Sequence, residues 1–97
     1  MKQLTDYKKH GSHYSLVIRQ NGYAIARGVN SFDHVTYEVF EVQSHNGREI
    51  HGKQIEASEY APGDAQWGTK GWTFKTRQGA VYKMLALIME KNKEAAK

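Results

Sequence analysis

The stretch His13-Tyr-Ser-Leu-Val-Ile-Arg-Gln-Asn-Gly-Tyr-Ala-Ile-Ala-Arg-Gly28 decides the fold. Apolar and polar residues alternate on both sides of Asn21-Gly22. An Asn-Gly step between two such runs signals a tight hairpin, because both residues tolerate the positive φ that the turn demands. A two-residue turn sets Ile18 against Ile25, Val17 against Ala26 and Leu16 against Arg27. Leu16, Ile18, Tyr23 and Ile25 then share one face, and the small Ala24, Ala26 and Gly28 share the other. The face with the larger side chains is the one expected to receive a helix.

Downstream, the apolar positions change phase: Val35, Tyr37 and Val39 fall on one parity, Phe40 and Val42 on the other. Such a switch implies a bulge, a strong bend, or a strand covered on both faces. Asn46-Gly47 marks a second hairpin. A three-residue loop over 45–47, with its glycine left-handed, pairs Val42 with Ile50, Glu41 with His51 and Tyr37 with Ile55, a better match of apolar partners than a two-residue turn provides. Residues 58–66 are turn-rich around Pro62-Gly63-Asp64. Trp72, Phe74 and Thr76 alternate as a short fifth strand.

Thr76 is placed to cap a helix over 76–93, weakened in its first turn by Gly79. Val81, Met84, Leu85 and Ile88 form the inward stripe, with Ala80 and Leu87 on one side and Tyr82 and Met89 on the other. That arc exceeds the roughly 100° a surface helix needs to bury. Either a curved sheet covers the excess, or Leu87, Met89 and Tyr82 meet a protein partner or a second copy.

Composition narrows the class. Ninety-seven residues suffice for one domain and not for two. The absence of cysteine removes disulfides and thiolate metal sites from consideration. Residues 1–13 are polar and lack the apolar core of a secretory signal, and the longest apolar run, over 84–89, is far shorter than the roughly 20 residues of a membrane span. A soluble cytoplasmic protein with no membrane association is expected. The net charge of +4 conceals a basic, acidic, basic order along the chain, with the acidic residues concentrated between 31 and 66. An acidic block repels phosphate wherever it lies near a binding face.

Candidate chemistry is sparse. His10 and His13 are three apart, but Gly11 between them breaks a helix, and no third ligand is nominated; no metal and no cofactor are expected. Glu38 and Glu41 differ by three within a strand and so point to opposite faces, which prevents them from acting as a carboxylate pair. The pairing of Glu41 with His51 reads as a surface contact, Glu56 and Glu59 as solvated, and Ser12-His13 as adjacent without a nucleophile elbow. No catalytic residue is assigned and no enzymatic activity is expected.

Gly68-Thr69-Lys70-Gly71 has the GxxG form that clamps nucleotide backbones between two helices. Here it is bracketed by Trp67 and Trp72 and runs into a strand, so it reads as a glycine-rich turn that holds two tryptophans. Aromatic rings beside cations also grip single-stranded nucleic acid. Trp67, Lys70, Trp72, Lys75 and Arg77, together with Arg19 and Arg27, are the residues for that alternative, and buried tryptophans would end it.

The run Tyr37-Glu-Val-Phe-Glu-Val42, a polar hairpin, a Pro-Gly turn, Trp67-Gly-x-x-x-Trp72 and a terminal amphipathic helix together resemble small uncharacterised proteins of bacteriophages and mobile genetic elements. The resemblance spans residues 14–90 and carries no site residues. It implies a regulator or inhibitor that acts by binding a host or viral macromolecule. The expected protein is therefore α+β: an antiparallel sheet of four to five strands with two Asn-Gly hairpins, and one C-terminal helix packed on one face. Residues 1–12 are expected as a polar arm, 13–91 as the single domain, and 92–97 as a frayed tail. The expected function is protein-protein binding, with nucleic-acid binding as the alternative.

Overall fold

The hairpin around Asn21-Gly22 forms where the alternation places it. In the computed structural model, which describes residues 3–95, strands β2 (Ser12–Gln20) and β3 (Tyr23–Val29) pair across a turn in which Asn21 and Gly22 both have positive φ, 52° and 86°. Ile18 faces Ile25 as expected. Beyond it the register slips by one residue, so that Leu16 meets Ala26 and Ser15 meets Arg27. Val17 is the extra residue of a β-bulge, and the bulge transfers Leu16 and Tyr14 to the opposite face of the sheet. The assignment of Leu16 to the helix face is thereby corrected. Tyr14 and Leu16 instead cover the small floor that Ala24, Ala26 and Gly28 provide. At Gly28 a Cβ would lie 2.5 Å from the Tyr14 ring, so only glycine admits that ring.

A short strand β1 (Tyr7–Lys9) pairs with the start of β2 through a second tight turn, His10-Gly11, again with both φ positive. Part of the stretch expected as a polar arm is thus an edge strand of the sheet. β4 (Val35–Glu41) pairs with β3 in unbroken register from Tyr23↔Glu41 to Val29↔Val35. Its phase switch reflects coverage of both faces: Tyr37 and Val39 pack on the helix side, Phe40 on the other.

The chain then leaves the main sheet. β5 (Gln43–His45) pairs with β8 (Ser58–Tyr60), and β6 (Arg48–Ile50) pairs with β7 (Lys53–Ile55) about a His51-Gly52 turn with φ of 50° and 77°. The expected hairpin at Asn46-Gly47 is therefore displaced by five residues, and the pairings Val42–Ile50, Glu41–His51 and Tyr37–Ile55 do not occur. Tyr37 lies between Arg27 and Phe74, and Glu41 faces Tyr23. Histidine, like asparagine, enters the left-handed region more readily than most residues, and a following glycine completes the same turn.

A single 3-10 turn (Asp64–Gln66) precedes β9 (Gly71–Phe74), which pairs with β4 to complete a five-stranded antiparallel sheet in the order β1-β2-β3-β4-β9. Helix α1 (Arg77–Ala95) packs on one face of β3, β4 and β9, and residues 92–95, expected as tail, continue it. One core lies beneath the helix, built from Tyr23, Ile25, Val39, Ala80, Met84 and Ile88. A second core lies on the opposite face, built from Ala24, Ala26 and Phe40 and closed by Leu4, Tyr7, Tyr14, Leu16, Ala61 and Trp67.

The helix begins where its cap allows. The Thr76 hydroxyl accepts a hydrogen bond from the Gly79 N–H at 3.1 Å, and the Thr76 carbonyl accepts from the Ala80 N–H. Replacing Thr76 with alanine removes the side-chain cap and is expected to lower stability by about 1 kcal/mol. A urea titration reads this as a fall in midpoint with an unchanged slope.

Candidate functional site

The helix has three flanks, each with a different task. Ala80, Met84 and Ile88 recur every four residues and are buried against the sheet, with Val81 and Leu87 packed beside them. Leu85, expected inside, is 45% exposed. Ala80, fully buried, lets the helix sit close to the sheet along the 80-84-88 line, and this turns Leu85 outward. Leu85 then joins Tyr82, 64% exposed, and Met89, 71% exposed. Spaced by three and four residues, the three side chains form one apolar stripe along the helix. The Gln78 Nε2 donates to the Tyr82 hydroxyl at 3.2 Å, one turn earlier on the same flank. Leu87 does not belong to this stripe, because it sinks to the edge of the core. Tyr82 and Met89 are accordingly brought together and Leu87 is not, whereas Leu85 is hidden from a sequence reading by its close fit to an inward spacing.

The third flank is charged. Lys83 lies over the Trp72 ring, 4.4 Å from its centroid, which directs this side of the helix toward β9. Farther along, Leu87, Glu90, Lys91 and Glu94 meet Tyr23, Glu41 and Lys70 around an open groove of about 420 Å³. Lys70 Nζ donates to Glu41 Oε2 at 3.2 Å, and Lys91 lies 5.6 Å from the Tyr23 ring centroid. Glu41 and Lys70 are thus paired across the groove, which Glu90 and Glu94 line beside them.

On the opposite face of the sheet, residues 58–70 run back over the second core as a strap fastened at both ends. At one end the Arg19 guanidinium donates two hydrogen bonds to Glu59, at 2.6 and 2.5 Å, and the Leu4 N–H donates to the same carboxylate. Arg19 and then the Leu4 N–H hold the Glu59 carboxyl down, to about 2. A folded-state pKa below the unfolded one contributes stability that is complete above the usual carboxylate range and is lost as pH falls. Thermal melts between pH 5 and 2 are therefore expected to show a progressive loss that is smaller in a Glu59→Gln variant, which keeps only the other depressed carboxylate, Asp64. An equal acid dependence in the variant would refute the assignment.

At the other end Lys9 and His10 both reach Asp64, at 2.7 and 2.9 Å, and their hydrogen bonds hold its carboxyl below the usual range. Lys9 also stands 5.0 Å from the Trp67 ring centroid, and Trp67 Nε1 donates to the Thr73 hydroxyl at 2.9 Å. Trp67 lies against Gly71, where a Cβ would come within 2.4 Å of its ring. The glycine-rich segment thus holds the two tryptophans, but on opposite faces of the sheet: Trp67 with the second core, Trp72 on the face of Val39 beneath Lys83.

Under the strap sits Glu38, 9% exposed, with its Oε2 unpartnered. The buried Tyr7 hydroxyl also lacks a partner, and the Tyr7 and Tyr14 rings stack at 5.0 Å on the same face. Burial pushes the Glu38 carboxyl up, only partly opposed by the Tyr14 hydroxyl and the Lys9 ammonium. Glu38 and Glu41 do face opposite sides, as the strand spacing requires.

The residues proposed for nucleic acid are not assembled into one surface. Arg19 is engaged by Glu59 and Lys70 by Glu41, the two tryptophans are separated by the sheet, and Arg27, Lys75 and Arg77 are exposed on β3 and at the β9–α1 junction. Among the described residues no group of three or more His, Cys, Asp or Glu is placed to hold a metal ion, and no helix is long and apolar enough to cross a membrane. No family model, curated protein or solved structure matches the chain.

Proposed function

We propose that this protein is a non-enzymatic binding module that docks a protein partner on the outer flank of α1, through Tyr82, Leu85 and Met89. The observation that supports this reading is the exposure of three large apolar side chains in a single stripe, next to a core that is already closed without them. Large exposed apolar stripes of this kind favour recognition of another protein surface over small-molecule chemistry. The charged groups of the strap support the same reading, since Lys9–Asp64 and Arg19–Glu59 fasten it to the sheet.

The test is capture of partners on the immobilised protein, with and without nuclease, compared with a Leu85→Glu variant whose circular dichroism matches the parent. A protein retained after nuclease treatment and lost with Leu85→Glu is the expected result. Material that disappears with nuclease and falls steeply with salt would overturn it in favour of nucleic acid.

A further inference from the structure

We infer that Asn46-Gly47 is a site of self-modification, where the chain closes a succinimide that opens to aspartate and isoaspartate, while the fold holds the same dipeptide intact at Asn21-Gly22. The step needs only the chain and water. The Gly47 backbone nitrogen attacks the side-chain carbon Cγ of Asn46, a new C–N bond forms, and the side-chain nitrogen leaves as ammonia, carrying the proton that the Gly47 N–H gives up. Water then cleaves the five-membered ring at one of its two carbonyl carbons. Cleavage at Cγ leaves aspartate, whereas cleavage at the backbone carbonyl carbon leaves isoaspartate, with the main chain running through Cβ and Cγ. Either product carries a carboxylate where a neutral amide stood. Glycine in second place leaves the attacking nitrogen unshielded, because it has no Cβ.

Ring closure requires the asparagine main chain to turn until the next nitrogen faces Cγ, so a backbone fixed by its neighbours resists it. Asn21 and Gly22 are fixed. Both lie in the left-handed region, in a two-residue turn closed by the pair Gln20↔Tyr23, and the Gly22 carbonyl accepts from the Val42 N–H at 2.9 Å. Swinging the 21–22 peptide round disrupts the end of the β2–β3 pairing and that hydrogen bond together. Asn46 and Gly47 are exposed instead, between β5 and β6, which belong to different two-stranded sheets. Neither sits in a left-handed turn. The Asn46 carbonyl faces the His45 Nδ1 at 3.4 Å, and the Ser58 hydroxyl lies 2.8 Å from the Nε2 of the same ring. A carbonyl can only accept, so Nδ1 bears the proton and Nε2 accepts from Ser58. Donation to this carbonyl draws electron density from the 46–47 peptide and eases the loss of the Gly47 proton. The other asparagines are held: Asn30 Oδ1 accepts from the Phe32 and His34 N–H groups at 2.9 and 3.0 Å, and Asn92 lies within α1, whose hydrogen bonds engage the following N–H.

Peptide mapping by mass spectrometry, on the folded chain incubated at mildly alkaline pH, follows each Asn-Gly pair. Asn46 is expected to convert at least about tenfold faster than Asn21, the ratio that a local opening of about 1.4 kcal/mol at the hairpin gives. In concentrated urea, where the hairpin is gone, the two sites are expected to convert at similar rates. On ion exchange the aged folded protein is expected to gain an acidic species that Asn46→Gln, at an exposed position, does not form. Equal rates in the folded chain, faster conversion at Asn21, a difference that persists unchanged in urea, or the same acidic species from the Asn46→Gln protein would overturn the assignment.

Discussion

Replacing Phe40 with alanine is expected to destabilise the protein by about 3–5 kcal/mol, the range for deleting a fully buried aromatic side chain. Phe40 is entirely buried, meets the Tyr7 ring edge-on at 6.5 Å, and sits on a floor of alanines. That floor determines the size of the effect. Ala24 and Ala26 have no rotamers with which to fill a vacancy, and β3 is tied into the sheet on both sides by β2 and β4. The cavity therefore stays open. Against the roughly 5–15 kcal/mol that a domain of this kind possesses, the loss is a large share of the whole. Denaturant unfolding should give a strongly lowered midpoint, whereas Phe32→Ala, at a side chain 79% exposed, should stay within about 0.5 kcal/mol of the parent. A loss below about 1 kcal/mol at Phe40 would mean that the strap and floor do not form a rigid core.

The same residues show how far the sequence is readable. The phase switch between Val39 and Phe40 announces a strand buried on both faces, and the alanine-glycine side of β3 announces a close-packed floor, but neither says what covers it. The cover depends on Val17. A bulge has no local signature in an alternating run such as Tyr14 to Ile18, so the unbroken alternation sends Leu16 to the wrong side. The turns illustrate a related limit. Asn21-Gly22 works as a turn because strands of matching pattern flank it, whereas Asn46-Gly47 has the right residues but is drawn into the separate pairings of Gln43–His45 with Ser58–Tyr60 and of Arg48–Ile50 with Lys53–Ile55. His10-Gly11 and His51-Gly52 make turns that a search for asparagine overlooks. On the helix the cap at Thr76 and the existence of an apolar surplus are legible from spacing. Which members of the surplus remain outside is not, because Ala80 decides the rotation and alanine carries little weight in an apolar pattern.

Glu38→Gln is expected to stabilise the protein at neutral pH, because it removes a negative charge whose ionisation burial opposes while keeping the size of the side chain. Glu38 is the buried charged residue of the second core, and its Oε2 has no partner. The groups that face it from the packed elements are Tyr7 and Lys9 on β1, Tyr14 on β2 and Asp64 in the 3-10 turn. Lys9 is already committed to Asp64 at 2.7 Å, so its charge is divided. Burial raises the carboxyl pKa in the folded state above its unfolded value. The stability that the neutral form contributes is therefore complete at pH below the ordinary carboxylate range and is lost as pH rises through the folded-state pKa. This is opposite in sign to the acid-labile contribution of Glu59. Comparing variant with parent at each pH cancels the Glu59 contribution, which both proteins share. The difference in unfolding free energy is expected to be small near pH 4 and to grow in favour of the Glu38→Gln variant toward pH 8. A difference that is flat across that range, or that favours the parent at pH 8, would show that the carboxylate is paired when ionised and that the strap accommodates its charge.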